Sequence, residues 1–513
     1  MSRLNKGHQL LTACRRLSNV KLHEQDAHSN QQAFAQTRAA SSCVETIRQA
    51  RPSLDQPVLS SGDNVQFKVP EKETKISNLQ NGMKVATENS YGQFVTIGLF
   101  PRIGSRFDDG YTPGISHVLE RMAFTGSRKY PSRAHVMAEL DQYGGLVDCQ
   151  FHREVGVYTL SVLANGLEKA MEILADVTLH PQISQERLEE AQTAVMFHLE
   201  DLDMQANQEQ RLADLIHRAA YGDSGLGLPR LCPDDNVKKI TNEELVRYLR
   251  AKMCPSDMTL AAVNVDHEQF QALAEQYFGT GEPSWGKMAT STEPCAPAVY
   301  KPCFVKDARK MERAVVHANQ LPDVAHYSMA YRSCSYRDDD FVATCVLNTL
   351  MGGGSSFSAG GPGKGLFSRL YTNVLSQNFF VMSAIATNYP YADTGLFTFN
   401  GSCSPGDLGK LAHVMSAEVG RLARDPFTEE EVSRAKQQML SLLFMNLESR
   451  AINLEDIGRQ VLELGLRENG EQLRQKIVNV SVEDITRVAR KLFDSPPAFA
   501  ALGDVSALPA SMT

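Results

Sequence analysis

Alternating apolar and polar positions predict two strands in the first part of the chain. In the segments 95–99 and 158–162, apolar side chains occupy every second position, which is the period of a strand with one buried face. Thr241 and Thr428 are each followed three positions later by a glutamate, which is the spacing of a capping box at a helix start. Strands combined with capped helices predict an α+β fold, in which helices back a mixed sheet.

Similar segments occur twice along the chain. Four pairs of segments keep the same order, at spacings between 231 and 244 residues. Because a shared order at nearly constant spacing rarely arises by chance, we interpret it as an internal duplication. The chain is therefore predicted to fold as two homologous α+β halves. The paired segments are 106–117 with 337–348, 127–128 with 368–369, 184–192 with 428–436, and 241–250 with 481–490.

The duplication predicts the domain boundaries and one insertion. The halves cover 73–285 and 313–513, and a linker at 286–312 contains several prolines. The spacing between paired segments rises from 231 to 241, so the second half has gained about ten residues. This gain coincides with the glycine-rich segment 352–365. Since the repeat folds without it, we expect an inserted loop, where function usually resides.

The first residues have the pattern of a targeting segment. Positions 1–23 contain five basic residues and no acidic one, with leucines at helical spacing. This pattern predicts a mitochondrial transit peptide over 1–45, followed by a linker at 46–72. A disordered basic tail is the alternative.

Composition excludes several classes of protein. Hydrophobic residues make up 42% of the chain and charged residues 22%, which are globular values. A net charge of −8 disfavours a nucleic-acid partner and favours a cationic one. None of the ten cysteines forms a C-x-x-C pair, so we expect free thiols in a reducing compartment. The sequence predicts no membrane-spanning segment.

A short predicted helix within 112–126 carries an incomplete metal motif. His117 and Glu120 stand at the spacing of the inverted zinc motif H-x-x-E-H, and the chain here resembles the pitrilysin-like M16 metallopeptidases. In that family two histidines bind zinc and the glutamate activates water. Arg121 occupies the position of the second histidine, and a guanidinium has no lone pair for a metal.

The third zinc ligand of the M16 family also has no match. It is a glutamate on a later helix, and His198 stands at that position in this chain. The resemblance therefore implies a pitrilysin/LuxS-like fold with a degenerate zinc motif, formed by His117, Glu120, Arg121 and His198, and no metal in this chain. A weak zinc ion held by the two histidines is the alternative.

The glycine-rich run at 351–371 resembles the signature loop of mitochondrial processing peptidase alpha subunits. The segments 447–450 and 455–460 resemble the same subunits, and the similarity covers about 73–508. It implies a non-catalytic, substrate-recognising subunit in the mitochondrial matrix. Its partners would be a zinc-containing beta subunit and the basic presequences of imported precursors. The expected substrate-binding residues are Gly352, Gly353, Gly354, Ser355, Ser356, Phe357, Ser358, Gly360, Gly361, Gly363, Lys364 and Gly365.

A binder of basic presequences should offer carboxylates. Glu448, Glu455 and Asp456 lie in the segments that resemble the alpha subunits, and Asp393 is a further candidate. Most surface acids are merely solvated, so each is a candidate contact only.

Two other functions fit parts of the sequence. A core subunit of the respiratory cytochrome bc1 complex would share the fold and lack zinc, and it would associate with the inner membrane. The complete glycine-rich run favours the processing peptidase. A self-sufficient peptidase is disfavoured by Arg121.

Overall fold

A computed structural model describes residues 73–205, 207–279, 282–286, 295–308, 323–356 and 366–508. The predicted transit peptide, the linker at 46–72 and residues 357–365 of the glycine-rich segment lie outside these ranges. In the described part of the chain, no helix is both long enough and apolar enough to cross a membrane.

The first half builds a six-stranded mixed sheet. The strand order is β1-β2-β6-β3-β5-β4, in which β2 and β6 are parallel and all other neighbours are antiparallel. Both segments predicted as strands lie in this sheet, within β3 and β5. The strands are β1 (Thr74–Asn78), β2 (Lys84–Glu88), β3 (Phe94–Pro101), β4 (Leu146–Phe151), β5 (Gly156–Leu163) and β6 (Met258–Val263).

Helices that pack on this sheet form the first core. Apolar residues of β3 and β5, among them Ile97 and Leu160, are fully buried against these helices. The helices of the first half are α1 (Ile115–Met122), α2 (Arg133–Asp141), α3 (Leu167–Leu179), α4 (Gln185–Met204), α5 (Glu209–Tyr221), α6 (Asp234–Val237), α7 (Asn242–Lys252) and α8 (His267–Ala274).

The second half repeats the same sheet. Its strand order is β7-β12-β8-β11-β10-β9, with β7 parallel to β12. The first five of these strands match β2-β6-β3-β5-β4 in order and direction, so the predicted two-half α+β fold is confirmed. Strand β7 lies inside the predicted linker at 286–312. The strands are β7 (Phe304–Asp307), β8 (Ala325–Ser333), β9 (Gly353–Ser355), β10 (Val381–Pro390), β11 (Gly395–Cys403) and β12 (Ala498–Leu502).

Three helices of the second half begin at a side-chain cap. Thr428 and Ser481 each form a reciprocal capping box. Thr241 caps α7 by accepting the Glu244 N–H at 3.3 Å, but the Glu244 carboxylate bonds Thr112 instead of closing the box. The helices are α9 (Phe341–Met351), α10 (Leu408–Arg424), α11 (Glu429–Glu448), α12 (Arg450–Leu464), α13 (Gly470–Asn479) and α14 (Val482–Leu492).

Each half supplies one helix to the sheet of the other half. Helix α5 of the first half packs on β8 and β12, where Ile216 and Ala500 share one apolar cluster. Helix α12 of the second half packs on β3 and β6, where Leu454 and Ile457 meet Phe100. This exchange buries β3 on both faces, which explains why seven of its eight residues are buried.

Candidate functional site

The segment before α1 is fixed by a buried carboxylate. Asp108 accepts hydrogen bonds from the Tyr248 hydroxyl at 2.9 Å and the Ser116 hydroxyl at 3.0 Å. Burial raises the pKa of Asp108 to about 7. Gly114 has φ +96, and a Cβ there would lie 2.4 Å from the Cα of Cys232. A glycine therefore lets α1 start directly against the Cys232 backbone.

Both nitrogens of His117 are already engaged. The Cys232 N–H donates to His117 Nδ1 at 3.1 Å, which places the proton of the neutral ring on Nε2. That nitrogen faces His198 Nδ1 at 3.1 Å. Burial, assisted by the charge of Arg121, lowers the pKa of His117 to about 3. His117 is thus a neutral donor to His198.

Arg121 takes the place of a metal ligand and contacts the same histidine. Its Nη2 donates to His198 Nδ1 at 3.0 Å and lies 3.5 Å from Glu120 Oε1. The Phe151 N–H donates to Glu120 Oε2 at 2.7 Å, and burial raises the pKa of this carboxyl group. Glu120 therefore anchors the end of β4.

This donor set does not fit the zinc ion that the M16 motif implies. A catalytic zinc normally has three protein ligands with free lone pairs. Here one lone pair of His117 accepts a backbone N–H, and His198 Nδ1 accepts two donors. Among the described residues, no group of three or more His, Cys, Asp or Glu side chains could hold a metal.

The described start of the glycine-rich segment is built into the second sheet. Strand β9 pairs with β10 and forms an edge that, in the part of the chain that the structure describes, has no equivalent in the first sheet. Gly353 has φ +100, and a Cβ there would lie 1.9 Å from the Ala384 carbonyl oxygen. Gly352 also has a positive φ, whereas a Cβ on Gly354 would meet nothing within 4 Å. The first two glycines are thus required by backbone geometry.

The four acidic residues predicted to contact a presequence differ in whether they already pair with an arginine. Asp456 accepts from the Arg467 guanidinium at 2.8 Å, and Glu455 from Arg459 at 2.7 Å. Glu448 is exposed at the end of α11. Asp393 binds Arg106 through both oxygens at 2.7 Å. The Glu448 side chain makes no hydrogen bond or ion pair with the described residues, whereas the other three acids each pair with an arginine.

A cleft between the two halves was not predicted from the sequence. Its volume is about 1310 Å³, and it is lined by the end of β4, α5, α12, α13 and the start of α9. His152 and Arg459 lie on its wall, beside Asp456. Because its lining comes from segments that are far apart in the chain, no local pattern could have indicated it.

Comparisons with known proteins agree with the fold. A family model described as "Insulinase (Peptidase family M16)" matches residues 84–234, and one described as "Peptidase M16 inactive domain" matches residues 239–439. The chain is 39% identical to the "Mitochondrial-processing peptidase subunit alpha" of Bos taurus, over 90% of this chain and 86% of that protein.

Two further relatives carry the same name. The protein of Homo sapiens is 39% identical over 89% of this chain and 86% of its own length, and that of Caenorhabditis elegans is 32% identical over 85% and 86%. The chain therefore belongs to peptidase family M16, in the branch that contains the mitochondrial-processing peptidase alpha subunits.

Proposed function

We propose that the chain is the non-catalytic, substrate-recognising subunit of a heterodimeric mitochondrial processing peptidase. The observation that carries this proposal is the hydrogen bonding of His117, His198 and Arg121. The histidine nitrogens are occupied by these bonds, and Arg121 cannot bind zinc. The zinc ion and the activated water would then come from a beta subunit. The names of the relatives support this assignment and a mitochondrial location, and we place the complex in the matrix.

The proposed ligand of this subunit is a basic presequence. A net charge of −8 attracts a cationic peptide. The glycine-rich segment 352–365 is proposed as the contact surface, with β9 as its fixed base. Glu448, Glu455 and Asp456 are proposed as supporting carboxylates.

Reconstitution of the heterodimer tests whether recognition and catalysis lie on different subunits. The chain is mixed with a beta subunit that has an intact H-x-x-E-H motif, and cleavage of a fluorogenic presequence peptide is measured. We expect cleavage by the pair and none by the chain alone. Cleavage by the isolated chain would overturn the non-catalytic assignment. Failure to associate with any such beta subunit, together with purification in a respiratory complex, would favour the cytochrome bc1 alternative.

Shortening the loop tests its role in recognition. Deleting residues 357–365 and retaining β9 should preserve the heterodimer but raise KM or slow product release. Replacing the same residues by a Gly/Ser sequence of equal length serves as the matched control for loop length. Normal cleavage by the deletion variant would make the loop a passive connection. Loss of the heterodimer would make it structural.

A further inference from the structure

The Ser-Arg pair that occurs in both halves of the repeat makes different contacts in each half. In the first half, Ser127 Oγ accepts the N–H of Tyr130, three residues later, at 3.3 Å. The side chain of Arg128 is 62% exposed and lies 3.8 Å from the Asp176 carboxylate on α3. The first copy of the pair therefore stabilises its own turn and the neighbouring helix.

In the second half the serine reaches the start of the glycine-rich segment. Ser368 is buried, and its Oγ accepts the N–H of Gly353, the first residue of β9, at 3.0 Å. A Cβ on Gly352 would lie 2.6 Å from Ser368 Cβ, so a glycine is needed for this close approach. The Ser368 hydroxyl thus joins the backbone that follows the glycine-rich segment to the backbone that begins it.

The arginine of the second pair is held by three kinds of contact. Arg369 Nε and Nη2 donate to the two carboxylate oxygens of Glu431 at 3.1 Å each, and Nη2 also donates to the Pro426 carbonyl at 3.0 Å. Its guanidinium carbon lies 4.3 Å from the centre of the Phe427 ring, and the side chain is 9% exposed. Because Glu431 also closes the capping box of α11, Arg369 attaches the backbone after the glycine-rich segment to the start of that helix.

The altered contacts coincide with the point at which the two copies of the repeat differ in length. The described strands of the first sheet include no equivalent of β9, and it is beside β9 that the second Ser-Arg pair is buried. A connection whose two ends are held together has fewer conformations than one with free ends. It therefore loses less entropy when a ligand orders it, and its ligand binds more tightly.

We propose that Ser368 and Arg369 are positioning residues for the recognition of basic presequences. Ser368 acts through β9 and Arg369 through α11, and together they fix the backbone on both sides of residues 357–365. This proposal rests on the proposed function, in which the glycine-rich segment contacts the presequence. Neither side chain touches the peptide; each acts through the segment whose ends it holds.

Steady-state cleavage of a presequence peptide by the reconstituted heterodimer tests the role of Ser368. Ser368→Ala removes one buried hydrogen bond, and we expect KM to rise about three- to tenfold with kcat unchanged. Ser127→Ala is the matched control, because it removes the equivalent buried hydroxyl of the first half, and it should leave KM unchanged. An unchanged KM in Ser368→Ala, or an equal rise in both variants, would overturn the proposal.

A second comparison shows whether Ser368 acts through the glycine-rich segment. In the variant that lacks residues 357–365, Ser368→Ala should raise KM no further, because the segment that it positions has been removed. An equal additional rise in both backgrounds would mean that Ser368 acts on cleavage by another route, and it would contradict the proposal.

The arginine is tested in the same assay. Arg369→Gln should raise KM with kcat unchanged, whereas Arg128→Gln, at the exposed position of the first half, should not. A folded Arg369→Gln variant with a normal KM would show that Arg369 has no positioning role. If Arg369→Gln failed to fold, the two comparisons with Ser368→Ala would still decide the proposal.

These measurements separate the positioning role from the proposed function. If deletion of residues 357–365 raises KM and Ser368→Ala does not, only the positioning role is wrong. If the deletion leaves cleavage unchanged, the recognition role of the glycine-rich segment fails, and the positioning role fails with it.

Discussion

Arg121 shows how one side chain changes the chemistry of the M16 centre. The guanidinium supplies a fixed positive charge where the family has a metal ligand, and it cannot donate a lone pair. His117 and His198 then hydrogen-bond to each other at 3.1 Å. The centre is consequently a polar cluster held together by Arg121 and the Cys232 backbone.

Arg121→His should create a zinc site. Tetrahedral nitrogen ligands about 2.0–2.1 Å from zinc lie roughly 3.3 Å apart, close to the 3.1 Å between His117 Nε2 and His198 Nδ1. A third histidine one turn after His117 would complete the ligand set. Elemental analysis after dialysis should find about one zinc per chain in this variant and none in Arg121→Gln. A zinc-free Arg121→His protein would show that the two histidines cannot turn to a metal.

His117 should contribute to loss of stability in acid. Its pKa falls from an ordinary 6.5 to about 3 in the folded state, mainly through burial. The unfolded chain therefore binds a proton between these values that the folded chain does not, so stability falls as the pH drops through this window. In His117→Gln the loss of urea resistance between pH 7 and pH 4.5 should be smaller than in the unmodified chain. An equal loss would contradict a neutral buried His117.

The two halves differ in single secondary-structure elements. Strand β9 has no counterpart among the described strands of the first sheet, and α12 leaves its own half to cover the first sheet. Both depend on glycines at points of close backbone or ring approach. Gly353 lies against Ala384, and Gly458 on α12 lies against Phe100.

Gly353→Ala should detach β9. Its Cβ would overlap the Ala384 carbonyl, and the residue would keep an unfavourable φ of +100. We expect a loss of about 1–3 kcal/mol in stability and impaired presequence cleavage by the heterodimer. Gly354→Ala is the matched control, since its Cβ has open space. Similar effects of the two substitutions would argue against the β9 geometry.

Gly458→Ala should weaken the attachment of α12 to the first sheet. The added Cβ would lie 2.3 Å from the Phe100 ring, which is fully buried and cannot move away freely. Overpacking of this kind costs about 1–3 kcal/mol. Gly420→Ala on α10 has a nearest neighbour at 3.6 Å and should instead stabilise by about 0.5–1 kcal/mol. Urea unfolding of both variants measures the contrast.

At the scale of the whole molecule, buried ion pairs join the two halves. Arg106 of the first half binds Glu154 and Asp393, and Arg467 of the second half binds Glu88 and Asp456. The side chains of both arginines are at most 4% exposed. Since a buried charge without its partner is costly, these pairs oppose separation of the halves.

Arg467→Met should destabilise the chain by about 3–5 kcal/mol, because it leaves the Glu88 carboxylate buried without its cation. Adding Glu88→Gln should recover part of the loss. Arg474→Met, which removes a solvent-exposed ion pair on α13, should leave the unfolding midpoint nearly unchanged. The midpoint in urea compares all three, and a double variant no better than Arg467→Met would contradict the buried-pair interpretation.

The sequence by itself determined the features that depend on short spacings or on the internal repeat. Residue periodicity, capping threonines and the repeat predicted two α+β halves, and position 121 excluded the second histidine of the motif. These signals are local, because strand alternation, helix caps and i, i+4 neighbours lie within a few residues of one another.

Only the tertiary structure decided which distant groups meet. An amphipathic helix shows that it has an apolar face but not which sheet it covers, so the exchange of α5 and α12 could not be predicted. The same holds for the cleft between the halves and the burial of Arg467. Their partners are chosen by packing of the whole chain, because hydrogen bonds and ion pairs gain strength where that packing excludes water.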